Sequence, residues 1–202
     1  LLEAKKEVIY MSTIINEFLS DSFDVFNNRM KANSMVKARN SEILTDQMQV
    51  EISNYLSQCT KHELSIGSAK NASDMIRIIN ELESVGDSIF NLFLISEKLD
   101  KDTLSVEMKE QISTLYNKVK EFIDWNHTFI SSDIAQMSSE DIKKSIAYED
   151  EIDEMRNKFI ESSSNRLSKD SNAKSELIFI DIIKHLEHIG DFSLNISQAL
   201  ED

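Results

Sequence analysis

Apolar residues recur at three- and four-residue spacing along almost the whole chain of 202 residues. The first such series consists of Val8, Met11, Ile15, Phe18, Phe26 and Met30. A later series with the same spacing consists of Met108, Ile112, Leu115, Val119, Phe122 and Phe129. This is the period of an α-helix that buries one face, so the pattern predicts amphipathic helices throughout.

The periodic segments are interrupted where Asn, Ser, Asp and Gly cluster, the residues that favour turns and helix caps. These breaks fall near Lys31 and around Gly67, Asp100, Ser138 and Asp170. They separate six predicted helices of roughly 25 to 33 residues, far above the mean helix length and typical of helical bundles. Proline is absent and only three glycines occur, which agrees with an all-α fold.

A motif that occurs twice shows that the second half of the chain repeats the first. L-E-x-[V/I]-G-D-x-x-x-N is found as LESVGDSIFN and, 104 residues later, as LEHIGDFSLN. This shift aligns Glu83 with Glu187 and Asp87 with Asp191.

A second pair of segments, SEILTDQMQVEI and YEDEIDEMRNKF, precedes the motif in each half. Both contain Glu-x-x-x-Asp followed by Met, and a shift of 107 aligns Glu42 with Glu149 and Asp46 with Asp153. Each half then has three antiparallel helices with acidic motifs on the second and third. We predict two tandem three-helix bundles, with one repeat in residues 1–99 and the other in residues 100–202.

The spacing of the acidic residues has two interpretations. Residues four apart lie on one helix face with Cβ atoms about 5–6 Å apart, so Glu83 and Asp87 repel each other unless a cation bridges them. Acidic pairs of this kind also occur on ordinary solvated faces of an acidic protein. The same pairing on neighbouring helices of both repeats favours a metal site, although the pattern alone leaves both interpretations open.

Gly86 and Gly190 are predicted to lie inside helices, where glycine costs about 1 kcal/mol relative to alanine. Close helix packing and space for a bound ion both explain them. Ligands that are all oxygens suit Mg, Ca, Mn or iron, with zinc allowed where few ligands are needed. His185 and His188 are nearby, but a single histidine on a helix surface is more often solvated or packed than a ligand.

Composition excludes several classes of function. The formal net charge of −14 disfavours nucleic acid and anionic membrane surfaces as partners. The single cysteine, Cys59, permits no internal disulfide and agrees with an intracellular location. The apolar runs are too short for membrane insertion. The chain contains no Glu-x-x-His of a di-iron carboxylate oxidase, no phosphate-binding glycine loop and no nucleophile elbow, so we do not expect an enzyme.

The duplicated L-E-x-[V/I]-G-D-x-x-x-N, with the Glu-x-x-x-Asp segment before it, resembles the PhoU family of phosphate-transport regulators over essentially the whole chain. The resemblance implies two tandem three-helix bundles and clusters of iron or zinc, with Mg, Mn or Ca as further options. The implied metal ligands are Glu42, Asp46, Glu83 and Asp87 in one bundle and Glu149, Asp153, Glu187 and Asp191 in the other. Ile43 stands where the second half has Asp150, which predicts a poorer cluster in the first half.

The opening EAKKEVIYMS is similar to the junction of bacterial sodium-dependent phosphate cotransporters that carry a cytoplasmic PhoU-like domain. Leu1 in place of Met agrees with a segment cut from such a chain. We therefore expect a regulatory domain on the cytoplasmic side, tethered to the inner membrane through a transport domain that is its partner. A stand-alone PhoU-type regulator and a metal-free helical scaffold are the alternatives, and homo-oligomerisation stays open.

Overall fold

The computed structural model of the protein describes residues 1–26, 33–61, 65–100, 103–169 and 172–201. The helices in order are α1 (Leu2–Phe26), α2 (Ser34–Cys59), α3 (Ile66–Ser96), α4 (Val106–Ser131), α5 (Ser139–Leu167) and α6 (Ala173–Ala199). Helix makes up 87% of the described residues, and the only β-type pairing among them is an isolated bridge between Met137 and Glu201. The all-α prediction with six helices is confirmed.

Capping side chains define where several helices begin. The Ser105 hydroxyl accepts a hydrogen bond from the Met108 N–H, and α4 begins at the next residue, Val106. At α5, Ser138 and Asp141 form a reciprocal capping box in which each side chain accepts from the other residue's backbone N–H. These contacts satisfy N–H groups that have no partner inside the helix. The predicted breaks around Asp100 and Ser138 are therefore confirmed.

The predicted break around Gly67 is wrong by a few residues, because Gly67 lies in the first turn of α3. The Ser65 hydroxyl accepts from the Ser68 N–H and sets the helix start before the glycine. The predicted breaks at Lys31 and Asp170 lie outside the described residues. The flanking helices agree with them, since α1 ends before Lys31 and α6 begins after Asp170.

The helices pack as two trios, and each trio contributes two inner helices to a common four-helix centre. Within the described chain, α1, α2 and α3 all contact one another, and so do α4, α5 and α6. Between the trios, α1 packs on α4 and α3 packs on α6, whereas α2 and α5 contact only helices of their own repeat. The predicted pair of three-helix bundles is confirmed, and α2 and α5 lie on the outside of a common four-helix centre.

One continuous apolar cluster runs through both repeats and holds them together. Polar contacts also cross between the repeats: the Tyr116 hydroxyl donates to the Leu19 carbonyl at 3.2 Å, and the Asn195 amide donates to Glu81 at 3.0 Å. None of the described helices combines the length and apolar character that a membrane-spanning segment needs.

Gly86 and Gly190 lie where an outer helix approaches an inner one. A Cβ at Gly86 would lie 3.2 Å from the tip of Ile15 and 3.3 Å from the Thr45 hydroxyl of α2. A Cβ at Gly190 would lie 3.1 Å from both Cδ1 and Cγ2 of Ile152 on α5. The structure thus supports close helix packing as the reason for both glycines.

We expect Gly190→Ala to lower the free energy of unfolding by about 1 kcal/mol, because overpacking of about 1–3 kcal/mol exceeds the helix-propensity gain of about 1. Gly86→Ala should lower the free energy of unfolding by less, since the Cδ1 tip of Ile15 moves more easily than Cγ2 of Ile152. Urea denaturation measures both. Gly67→Ala is the control, because a Cβ there meets nothing within 4 Å. Equal stability of Gly190→Ala and Gly67→Ala would contradict the packing explanation.

Candidate metal centres

Three carboxylates of the first repeat converge from two helices. Glu42 and Asp46 lie one turn apart on α2, and Asp87 extends from α3. One oxygen of each lies within 4.8 Å of the others. We call these three residues the first triad. They bring together at one site two acidic motifs that are separated in sequence.

The second repeat reproduces this arrangement with Glu149 and Asp153 on α5 and Asp191 on α6. Their ligand oxygens also lie within 4.8 Å of one another, and we call these residues the second triad. All six triad residues were predicted from the sequence. The internal repeat of the sequence is therefore also a repeat of site geometry.

The two remaining predicted ligands, Glu83 and Glu187, lie outside the triads and have different surroundings. Glu83 is half-buried, and its pKa is raised first by burial and then by the charges of Asp87, Asp46 and Glu42. Glu83 thus lies in the electrostatic field of the first triad. Glu187 is only 9% exposed and accepts a hydrogen bond from the Arg156 guanidinium at 2.8 Å.

Burial and the charges of neighbouring carboxylates raise the pKa of four of the triad residues. Burial is the largest cause of the raised pKa of Glu42 and of Asp87, and the charge of Asp46 is the next cause for both. In the second repeat, burial followed by Asp153 raises the pKa of Glu149, and burial followed by Glu187 raises that of Asp191. A bound cation would relieve this repulsion.

A buried oxygen without a partner is a further reason why the first triad would suit a metal ion. Oδ1 of Asp46 is buried and has no hydrogen-bond partner among the described residues, an arrangement that ordinarily costs stability. The donors are all carboxylate oxygens, the ligand type that hard divalent cations prefer. Glu42, Asp46 and Asp87 would hold such an ion, with Glu83 close enough to add negative charge.

Sequence reasoning missed Arg156, which lies at the second triad. Its guanidinium is 2.8 Å from Glu187 and 3.3 Å from Asp153. The spacing of three residues from Asp153 is the available sequence signal, since such pairs share a helix face. At the matched position of the first repeat, Gln49 is neutral and donates to Asn80 at 2.7 Å.

A fully buried carboxylate elsewhere was also missed. Glu176, with 0% exposure, accepts from the Ser163 hydroxyl at 2.6 Å and from Nε of Arg166 at 2.9 Å. Arg166 also bonds to Glu107 of α4 at 3.0 Å. This satisfied ion pair joins α4, α5 and α6 and is structural.

The other polar residues of the duplicated motif stay outside the triads. His188 is exposed and its Nε2 is 3.6 Å from Glu187, while the half-buried His185 packs edge-on against the His188 ring. Asn91 donates to the backbone carbonyl of Asp87 at 2.9 Å. Asn195 donates to Glu81 across the repeats. Neither histidine belongs to a triad.

Two sections of the chain, residues 8–95 and 112–200, each match the family described as PhoU domain. The fold is similar to the crystal structure of PhoU from Pseudomonas aeruginosa, with a TM-score of 0.89, 14% identity, and coverage of 99% of this chain and 94% of that chain. It is also similar to the phosphate transport system regulatory protein PhoU from Streptococcus pneumoniae, with a TM-score of 0.84, 15% identity, and coverage of 98% and 91%. No curated protein matches the chain significantly by sequence.

The raised pKa values predict how pH changes the stability of the metal-free protein. Carboxylates whose folded pKa exceeds the unfolded value of about 4 bind protons first in the folded state, so they favour folding increasingly as pH falls towards 4. With a chelator at pH 7.5, we expect Asp87→Asn to be more stable than the unmodified protein by a few tenths to about 1 kcal/mol. This advantage should shrink between pH 7 and about 4.5.

Thermal unfolding of both proteins across this range measures the difference. Burial lowers the pKa of His127 and of His185, which weakens folding at low pH in both proteins and cancels in the comparison. Glu110→Gln, an exposed site on α4, is the control and should show no pH-dependent advantage. An Asp87→Asn advantage that stays constant with pH would contradict the repulsion account.

Proposed function

The chain belongs to the PhoU family, and we propose that it is a metal-binding regulator of phosphate uptake that acts through contact with a membrane transport protein. The observation that carries the proposal is the duplicated convergence of three carboxylates between an outer and an inner helix, within a chain of this family. The proposed role is regulatory and involves no catalysis.

The position of the triads explains how a bound ion would affect the shape of the protein. Each triad takes two carboxylates from an outer helix and one from an inner helix. The outer helices α2 and α5 have no described contact with the other repeat, so their placement depends on their own inner helices. A cation held between the carboxylates replaces repulsion with attraction and pulls the outer helix onto the centre.

Iron or zinc is the metal we propose, by resemblance to the family, and the oxygen donors also suit Mg, Mn or Ca. The proposed ligands are the six triad residues together with Glu83 and Glu187. The metal supplies positive charge that holds two helices, and the protein supplies the carboxylates and their partly buried surroundings.

Regulation through contact requires that the partner has two states with different affinities for this protein. A coupling free energy of about 1–3 kcal/mol between docking and transport changes activity roughly 5- to 150-fold. We propose that the partner is the membrane domain of a sodium-phosphate cotransporter, which places the protein on the cytoplasmic side and tethers it to the inner membrane.

A stand-alone PhoU-type regulator is the second candidate. It is supported by the similarity to two PhoU structures over 94% and 91% of their lengths. Membrane fractionation of the native host separates the two candidates. A tethered domain stays in the membrane fraction after high-salt and carbonate washes and migrates at a mass well above 23.2 kDa, whereas a stand-alone regulator is released at about that mass.

We expect the double substitution Asp87→Asn with Asp191→Asn to abolish metal loading, because it removes one carboxylate charge from each triad and nearly conserves side-chain shape. Elemental analysis of the purified, unfolded protein for iron, zinc, manganese and calcium measures the content. Glu97→Gln with Asp181→Asn is the control, since it removes two exposed charges near α3 and on α6. Metal content equal to buffer in the unmodified protein, with no thermal stabilisation by any of these ions, would favour the scaffold alternative.

The regulatory proposal predicts the response of phosphate uptake in cells. Deletion of residues 1–202 from the parent protein should leave uptake active but unrestrained when phosphate is plentiful, because the differential contact is lost. Asp87→Asn with Asp191→Asn should reproduce part of this effect. Uptake of labelled phosphate at low and high external phosphate measures both variants. An unchanged response in both would overturn the regulatory role.

A further inference from the structure

The second triad has a basic side chain of the protein beside it, whereas the first triad has none among the described residues. Arg156 extends from α5 and bonds to Asp153 on its own helix and to Glu187 on α6. The side chain of Glu187 is 12% exposed and that of Arg156 is 28% exposed, so both ends of this ion pair are largely shielded from water. A charge in such a position interacts strongly with its partner, and removing the partner is costly.

The first repeat has no such cation among its described residues. Gln49, the counterpart of Arg156, is neutral and its amide is directed to Asn80. The described basic side chains form no ion pair with Glu42, Asp46, Glu83 or Asp87, and Oδ1 of Asp46 stays without a partner. Burial raises the pKa of Glu42; the charge of Arg39 lowers it but is the smallest of its causes, and the Arg39 guanidinium lies 5.5 Å from the centre of the Phe90 ring.

We propose that Arg156 is a built-in cation of the second triad, so that the first triad holds the more tightly bound metal ion. This inference rests on the metal binding proposed above and assigns it unequally to the two repeats. An ion entering the second triad competes with a guanidinium for Asp153 and Glu187. An ion entering the first triad meets uncompensated carboxylates and satisfies the buried oxygen of Asp46.

This assignment is opposite to the expectation drawn from Ile43. Ile43 is 44% exposed and does not belong to the first triad, so its apolar side chain leaves the ligand set intact. The difference between the triads changes how each outer helix is held. The Arg156–Glu187 ion pair holds α5 against α6 without a metal, whereas α2 is held against α3 by charge attraction only when a metal is bound. The α2 helix is therefore the metal-responsive element.

Metal titration with each triad isolated tests the proposal. In the Asp191→Asn protein the first triad reports alone, and in the Asp87→Asn protein the second triad reports alone. Equilibrium dialysis with Mn²⁺ measures the affinity of each triad. We expect the first triad to bind Mn²⁺ on the order of 10- to 100-fold more tightly than the second. Adding Arg156→Gln to Asp87→Asn should tighten the second triad by a similar factor, and adding Gln49→Arg to Asp191→Asn should weaken the first.

A metal-free readout keeps the test decisive if a variant folds poorly. With a chelator present, Gln49→Arg should raise the midpoint of thermal unfolding, because it supplies a cation to repelling carboxylates. Arg156→Gln should lower the midpoint, because Glu187 loses its partner. Gln49→Met, of similar length and without charge, is the control for the first substitution and should not produce the rise.

The outcomes separate this proposal from the function on which it rests. Equal Mn²⁺ affinities of the two triads, unaffected by Arg156→Gln, would overturn the unequal assignment while leaving metal binding intact. Absence of binding in the unmodified protein and all variants would overturn the metal binding itself. A chelated Gln49→Arg protein no more stable than Gln49→Met would overturn the role of a built-in cation.

Discussion

The close approach of α2 to α3 and of α5 to α6 is the constraint on which both the packing and the site depend. Gly86 and Gly190 allow it, because side-chain atoms of Thr45 and Ile152 lie only 3.3 and 3.1 Å from the positions that a Cβ would take. Each glycine directly precedes a triad aspartate of the inner helix, and Thr45 and Ile152 directly precede Asp46 and Asp153. The same contact that packs the helices thus brings their carboxylates together. Close helix packing and the convergence of the carboxylates are two consequences of one geometry.

The carboxylates that meet in this way repel one another, and the packing of the four-helix centre must offset this repulsion. The inner helices bury most of the apolar residues, and burial of apolar surface is the dominant favourable contribution to folding. The outer helices bury less, and each carries an acidic motif at its boundary with the centre. Stability is therefore concentrated in the centre, while the outer helices respond most readily to a change of charge.

The two repeats offset the repulsion by different means, although their backbones follow the same plan. In the second repeat Arg156 pairs with the carboxylates, and in our proposal the first repeat relies on a bound metal ion. In that proposal one outer helix stays fixed while the other responds to metal occupancy. The carboxylate triads are duplicated, and Gln49 stands where the second repeat has Arg156.

The sequence by itself determined the number of helices, the internal repeat and the six carboxylates that form the triads. These features follow from local periodicity and from residues four apart on one helix face, which helical geometry places together whatever surrounds them. The start of α3 was predicted less well, because the break was placed at Gly67 whereas the capping residue is Ser65.

The tertiary structure alone decided which carboxylates have partners. Glu83 and Glu187 occupy matched positions of the repeat, yet within the described part of the chain only Glu187 bonds to an arginine, and that arginine is 31 residues away on another helix. The burial of Glu176 against Arg166 and the pairing of α3 with α6 were likewise invisible in the sequence pattern. Such contacts depend on how separate helices meet, and the period of one helix carries no information about the side chains that a neighbouring helix brings to it.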